Sequence, residues 1–404
     1  MSFQQGLSGL NAASKSLDVT GNNVANSSTV GFKSGQAQFA DVYAASLNGS
    51  GASQVGIGVK VSTVAQQFTQ GNVTSTNNPL DLAINGAGFF RMDNNGVTTY
   101  SRNGQFSLDK TGYVVNAQGL KLTGYIANAK GVLQTGAPSD LIFNTADLAP
   151  QTTSNVGLLV NLDSREGLPA TAVFNATDPT SYNRSTSISV FDTLGNSHVI
   201  QSFFKKTASN TWDVYGTSDG VPLTTPKIGT LVFSSSGALT TPQPFVASAT
   251  VTSGAVAPLT FNVDFTGSSQ YGSAFGLNSQ TQDGYTSGKL SGFTTGADGV
   301  ITGRYTNGKS ATLGQVVLAN FTDPNGLANL GNNAWAETAA SGGPLIGAPS
   351  SGSLGVLQSS AVEDSNVDLT AELVNLITAQ RFYQANAQTI KTQDQVLQTL
   401  VNLR

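Results

Sequence analysis

Residues 365–404, SNVDLTAELVNLITAQRFYQANAQTIKTQDQVLQTLVNLR, decide how this chain is read. The whole stretch from 356 to 404 lacks Gly and Pro, in a chain that carries 45 and 13 of them. Helix breakers are excluded from this end. Leu369, Leu373, Leu376, Tyr383, Ala387, Ile390, Leu397 and Val401 recur at steps of four and three, with Gln380 and Asp394 on the remaining rungs. That rhythm marks the seam of a helix built to pack on another helix. Ser365 with Asp368 three residues on predicts a capping box ahead of it. A helix from Leu369 to the end would span about 54 Å at ~1.5 Å per residue, long for a globular helix.

The amino-terminal end repeats the pattern. Phe3, Leu7, Leu10, Leu17 and Val24 share the spacing, with Ser14 and Gly21 in the gaps. Gly6, Gly9 and Gly21 each cost about 1 kcal/mol against Ala, so this helix is marginal alone in water. It calls for a partner that covers its seam, and the carboxyl-terminal helix of the same or a neighbouring copy fits. The eleven seam residues Phe3, Leu7, Leu10, Leu17, Val24, Leu369, Leu373, Leu376, Tyr383, Ile390 and Leu397 are the candidate assembly site.

Inward from the ends the pattern turns to strands and turns. Residues 27–70 read as an irregular or β-type linker rich in Ser, Gly and Gln. The turn sequences Asp93-Asn94-Asn95-Gly96 and Asp109-Lys110-Thr111-Gly112 sit between apolar runs and predict hairpins. Further strands are expected at 156–162, 186–192, 198–205, 211–216, 230–234, 259–265 and 299–305, with an apolar run at 313–321. The fold class expected is mainly β and multi-domain, with long α-helices at both termini, paired and coiled-coil-like, around nested β domains. Residues 1–26 and 365–404 form the terminal helices. Residues 27–70 and 355–364 form the linker, 71–149 and 284–354 an inner β domain, and 150–283 an inserted outer β domain.

Composition excludes several functions. Asp, Glu, Lys and Arg make up 10% of the 404 residues, against roughly 25% in ordinary soluble domains. Ser, Thr, Asn and Gln number 147, so the polar surface is built from neutral hydroxyls and amides. A net charge of −4 gives no cation excess to displace counterions from phosphates, which argues against nucleic-acid binding. One His and no Cys remove most zinc sites and all thiolate chemistry. No apolar run is long enough for a membrane span, and the amino terminus lacks the pattern of a cleaved signal peptide.

Few motifs suggest chemistry. Gly303-Arg304-Tyr305-Thr306-Asn307-Gly308-Lys309-Ser310 matches a phosphate-binding loop letter for letter. Such a loop needs a helix after it, whereas Ala311 to Leu318 is β-branched and Asn307-Gly308 is a strong hairpin signal. His198 is expected on a strand, facing solvent. Glu363, Asp364, Asp368 and Glu372 crowd the start of the long helix, where its dipole favours negative charge. No catalytic, cofactor-binding or metal-binding set emerges, and the chain is not expected to be an enzyme.

The words between the seams carry a resemblance. Residues 6–33, GLSGLNAASKSLDVTGNNVANSSTVGFK, and above all Asn22-Asn23-Val24-Ala25-Asn26 followed by Thr29, Gly31, Phe32 and Lys33, resemble the amino-terminal signature of the bacterial flagellar rod and hook axial protein family. Residues 365–404 resemble the matching carboxyl-terminal end. Asn85-Gly86-Ala87-Gly88-Phe89-Phe90, Tyr100-Ser101-Arg102-Asn103-Gly104-Gln105-Phe106 and Asn332-Asn333-Ala334-Trp335 are similar to the family's inner β domain. Length, the large middle insertion and the ending Val401-Asn402-Leu403-Arg404 resemble the hook branch, with the distal rod branch as the alternative.

The resemblance implies a structural subunit that self-assembles with identical copies into a curved, hollow tube. Such a tube acts as a universal joint passing motor torque to the filament, and forms part of the export channel. It implies distal rod, hook cap and hook–filament junction proteins as partners. It implies export by the flagellar type III apparatus to the cell exterior, without a cleaved signal peptide. It implies no cofactor, no nucleic acid and no membrane span. Gly31, Gly35, Gly49, Gly51, Gly56 and Gly58 are expected to give the linker hinges.

Overall fold

The computed structural model describes residues 2–42, 56–128, 131–143 and 147–402. The chain is mainly β with a helix at each end, α1 (Ser2–Ala25) and α2 (Leu369–Asn402). The hinge candidates Gly49 and Gly51 lie outside the described residues. Residues 1–144, 292–303 and 310–404 form one unit, and 145–291 with 304–309 form a second.

Helix α2 starts later than the expected capping box requires. Asp368 is the cap: its Oδ1 accepts from the backbone N–H of Thr370 at 2.9 Å and of Ala371 at 3.1 Å. One carboxylate thus satisfies two of the donors a helix start leaves unpaired. Ser365 instead accepts from the N–H of Val367.

In the first unit, the segment after α1 forms a hairpin of β1 (Gly35–Val42) and β2 (Gly58–Gln66). These strands pair antiparallel from Gly35 opposite Gln66 to Val42 opposite Gly58. Beyond it, Phe89–Asn94 pairs with Val97–Ser101 across the turn predicted at Asp93–Gly96, where Asn95 and Gly96 have φ of +51° and +93°. Asp93 accepts the N–H of Gly96 there. The later chain segments complete this unit. Leu318–Asn320 pairs with Phe89–Asn94, Ala334–Ala336 with Val97–Ser101, Val356–Ser359 with Leu82–Asn85, and Ala361–Glu363 with Val73–Ser75. Phe90, Met92, Phe106, Leu122, Val316 and Leu318 share the core. A second cluster joins Phe68, Phe89, Tyr100, Phe321 and Trp335, with most ring pairs edge to face.

The second unit holds two sheets over one core. Four antiparallel strands run in the order Arg184–Phe191, Ser197–Ala208, Thr211–Ser218, Val221–Val232. The other sheet is centred on Asn155–Asp163, parallel to Leu259–Asp264 and antiparallel to Gly276–Gln282. Alternate residues of both sheets, among them Val156, Leu158, Ile200, Phe204, Trp212, Phe261 and Val263, fill the interior. Trp212 donates its indole N–H to Gln270 Oε1 at 3.1 Å, satisfying the one polar atom it buries.

Candidate assembly and coupling site

Helices α1 and α2 pack against each other, α1 one residue to the side of its apolar seam and α2 partly along its own, through Leu376 and Ile390. On α1 the covered positions are Gly6, Ala13, Thr20 and Asn23, with Gly9 and Ser16 half-buried between them. On α2 they are Ala379, with Glu372, Leu376, Asn386, Ile390 and Gln393 half-buried. A Cβ on Gly6 would stand 3.1 Å from Ile390 Cγ1, and one on Gly9 would stand 2.6 Å from Asn386 Oδ1. Small residues let the two backbones approach. A shift of one position turns a helix by about 100°, so the large side chains of α1 lie on the flank, while Ile390 of α2 fills the space beside Gly6.

Phe3, Leu7, Leu369, Leu373, Tyr383 and Leu397 are exposed, Leu7 by 45% and Leu373 by 44%. Leu10, Leu17, Val24, Leu376 and Ile390 are half-buried. Val374, Ile377, Phe382 and Val396 widen the uncovered apolar surface of α2.

A buried polar junction ties both chain ends to the sheet. Glu363 Oε1 receives Lys33 Nζ at 2.6 Å and the N–H of Gly71 at 2.9 Å, and Oε2 receives Arg102 Nη1 at 3.1 Å. All three side chains are almost fully buried. Lys33 also donates to the carbonyl of Thr69, and Arg102 to that of Gly86. Burial pushes the Lys33 ammonium below the ordinary lysine value, and the contact with Glu363 opposes that. Amides reinforce the junction. Asn23 exchanges two hydrogen bonds with the backbone of Gly35. Asn366 accepts from the N–H of Ser34 and donates to the carbonyl of Gln67. Asn333 donates to Val30 O, and Trp335 Nε1 donates to Gln66 Oε1 at 2.6 Å.

The packing corrects the hinge expected at Gly31. Gly31 has φ of +70°, its N–H bonds Glu363 O, and a Cβ there would stand 2.5 Å from the backbone N of Asn103. It is glycine because another backbone passes against it. Gly58, at φ +141°, is likewise pressed on Ser8 of α1.

The four acidic residues read as one helix-start cluster have separate partners. Glu363 is in the buried junction. Asp364 accepts from Thr74, Asp368 caps α2, and Glu372 accepts from Asn23 at 3.3 Å. The helix dipole therefore explains only part of this clustering. The 303–310 motif is a hairpin: Tyr305 N–H bonds Lys309 O at 2.9 Å, Gly308 has φ of +77°, and strand Ser310–Val316 follows where a nucleotide loop has a helix. His198 does not face solvent. It is buried between two carboxylates, with Nδ1 2.7 Å from Asp219 Oδ2 and Nε2 3.3 Å from Asp192 Oδ2. Strand alternation gave no sign of this, because both carboxylates come from turns.

Among the described residues no group of three or more His, Cys, Asp or Glu is arranged to hold a metal ion, and no helix is long and apolar enough to cross a membrane.

Residues 3–33 match the flagella basal body rod protein model, and 83–140 the flagellar hook protein FlgE/F/G D1 domain. Residues 161–285 match the flagellar basal body protein FlaE D2 domain, and 358–403 the flagellar basal body rod FlgEFG protein C-terminal model. The chain is 46% identical over 409 residues to the flagellar hook protein FlgE of Escherichia coli, covering all of both chains. It is 45% identical to that of Salmonella typhimurium, again over the whole of both. The flagellar hook protein FlgE of Rhizobium meliloti is 32% identical, covering all of this chain and 98% of that one. In fold it is similar to the crystal structure of Helicobacter pylori flagellar hook protein FlgE2, at a TM-score of 0.54 and 14% identity, covering 72% of this chain and all of that one. Such full-length agreement sets aside the distal rod alternative, and the chain belongs to the flagellar hook protein FlgE family.

Proposed function

We propose that this hook subunit polymerises with identical copies into a curved, hollow tube, a flexible joint that carries motor torque to the filament and forms part of the export channel. The observation that carries the reading is the uncovered apolar surface of both terminal helices. Their mutual contact sets small residues of α1 against Asn386 and Ile390 of α2, and Phe3, Leu7, Leu369, Leu373 and Leu397 stay in water. Burying one such leucine between copies contributes about 1.5–3 kcal/mol, and a tube repeats it at every subunit. Coiled-coil-like packing among neighbouring ends is the arrangement the seam suits, with the β domains layered outside.

The same reading names the distal rod, hook cap and hook–filament junction proteins as partners at the two ends of the tube. It names the type III apparatus as the export route to the cell exterior, without a cleaved signal peptide. The exposed amides Asn375, Gln384, Gln388, Gln395 and Gln398 give a surface of low charge, suited to a channel through which unfolded chains pass. The test is electron microscopy of salt-induced polymers. Wild-type protein forms curved tubes, and Leu373→Glu forms none while remaining folded. Normal tubes from Leu373→Glu would refute the seam.

A further inference from the structure

We propose that Asp192, His198 and Asp219 form a proton-operated clasp at one end of the second unit, closed when the imidazole is protonated. His198 is the second residue of strand Ser197–Ala208, and each of its ring nitrogens faces a carboxylate oxygen. A neutral imidazole has one N–H and one lone pair, so only the imidazolium donates to both. In the neutral ring one nitrogen would turn its lone pair toward a carboxylate.

The two contacts are unequal. Asp219 Oδ2 is 2.7 Å from Nδ1, and Asp219 Oδ1 holds the N–H of Val199 at 2.8 Å. Asp192 Oδ2 is 3.3 Å from Nε2 and has other donors, Ser253 Oγ at 2.6 Å and Asn196 Nδ2 at 2.9 Å. Its Oδ1 takes the N–H groups of Leu194 and Asn196. The Asp192 side is therefore the one that opens. Closed, the clasp joins the 192–196 turn, and through Ser253 the segment around it, to the turn that carries Asp219. The charged groups facing the ring are Asp192 from one turn and Asp219 from the other; Ser253 and Asn196 are neutral.

Burial opposes the charge on His198, but the two carboxylates outweigh it and hold the ring above its usual value. A group raised on folding stabilises the unit fully below its unfolded value of about 6.5. That contribution is lost as pH rises through the folded value. Asp192 and Asp219 are held below the usual carboxylate range, so their contribution is lost only in acid. The clasp is closed between those limits.

His198 is the sole histidine, so labelled imidazole gives one NMR titration in the full chain. The expected midpoint lies above 6.5 in the parent and moves down in Asp219→Asn. Hydrogen exchange at residues 192–196 is expected to quicken several-fold from pH 6 to pH 9, beyond the intrinsic base-catalysed change, and His198→Asn is expected to lack this excess. A midpoint at or below 6.5, or the same excess in His198→Asn, would overturn the proposal. Asp219→Asn keeps the test open if His198→Asn fails to fold, because an unmoved midpoint there also overturns it.

Discussion

Glu363 sits where three stretches of chain meet, and both its oxygens are taken: by Lys33, by Arg102 and by the Gly71 N–H. Two buried cations share one carboxylate, so removing that charge leaves both uncompensated. Breaking a buried pair from one side costs about 3–5 kcal/mol. Glu363→Gln is expected to lose about that much stability in denaturant unfolding of the first unit, followed by Trp335, whose indole bonds Gln66 at the same junction. Lys33→Met removes one of the two competing cations and is expected to cost less than Glu363→Gln. The reverse order would show that the Lys33 contact dominates. The sequence singled out Gly31, Phe32, Lys33 and Arg102 as words of a family signature and Glu363 as a helix-start charge. It had no means of bringing them together, since Lys33 and Glu363 are 330 residues apart and no local period links them.

At the scale of elements, the 4-3 rhythm predicted both helices, and the structure has them at Ser2–Ala25 and Leu369–Asn402. What the rhythm did not reveal is which face the helices turn to each other. Gly6, Gly9, Ala13 and Ala379 carry almost no hydrophobic signal, yet all four are covered or half-covered, and the two glycines allow the close approach. A pattern search weighted by apolar size finds the large residues and passes over these. Two substitutions separate the surfaces. Gly9→Leu places a bulky side chain where even a Cβ would stand 2.6 Å from Asn386 Oδ1, and overpacking costs about 1–3 kcal/mol. It is expected to lower the helical signal of the monomer in circular dichroism. Leu7→Glu lies on the exposed flank, so the monomer spectrum is expected to stay unchanged while polymerisation is lost. Loss of monomer helicity in Leu7→Glu would instead mean that the flank supports the fold of a single copy.

At the scale of the whole molecule, the strands expected at 156–162, 186–192, 198–205, 211–216 and 259–265 fall on observed strands. Turn signals and alternation sufficed, because each is local. The pairing of late segments with early ones, such as Leu318–Asn320 beside Phe89–Asn94, was out of reach of any local signal. The first unit closes on itself: its core residues Phe90, Met92, Leu122, Val316 and Leu318 come from both sides of the intervening chain, and none comes from 145–291. The second unit has its own core. Replacing residues 150–283 by a short flexible linker should therefore leave the first core intact, since the entropy of closing a loop depends only weakly on its length. The expected result is a cooperative unfolding transition followed by Trp335, with the near-ultraviolet signature of the Phe89–Trp335 pair retained. Tubes from the shortened chain should still form, because the exposed seam residues all lie outside the deletion, and their curvature should change with the lost domain. A deletion protein with no cooperative transition would show that the first unit depends on the second for its fold, and the layered reading of the subunit would fall with it.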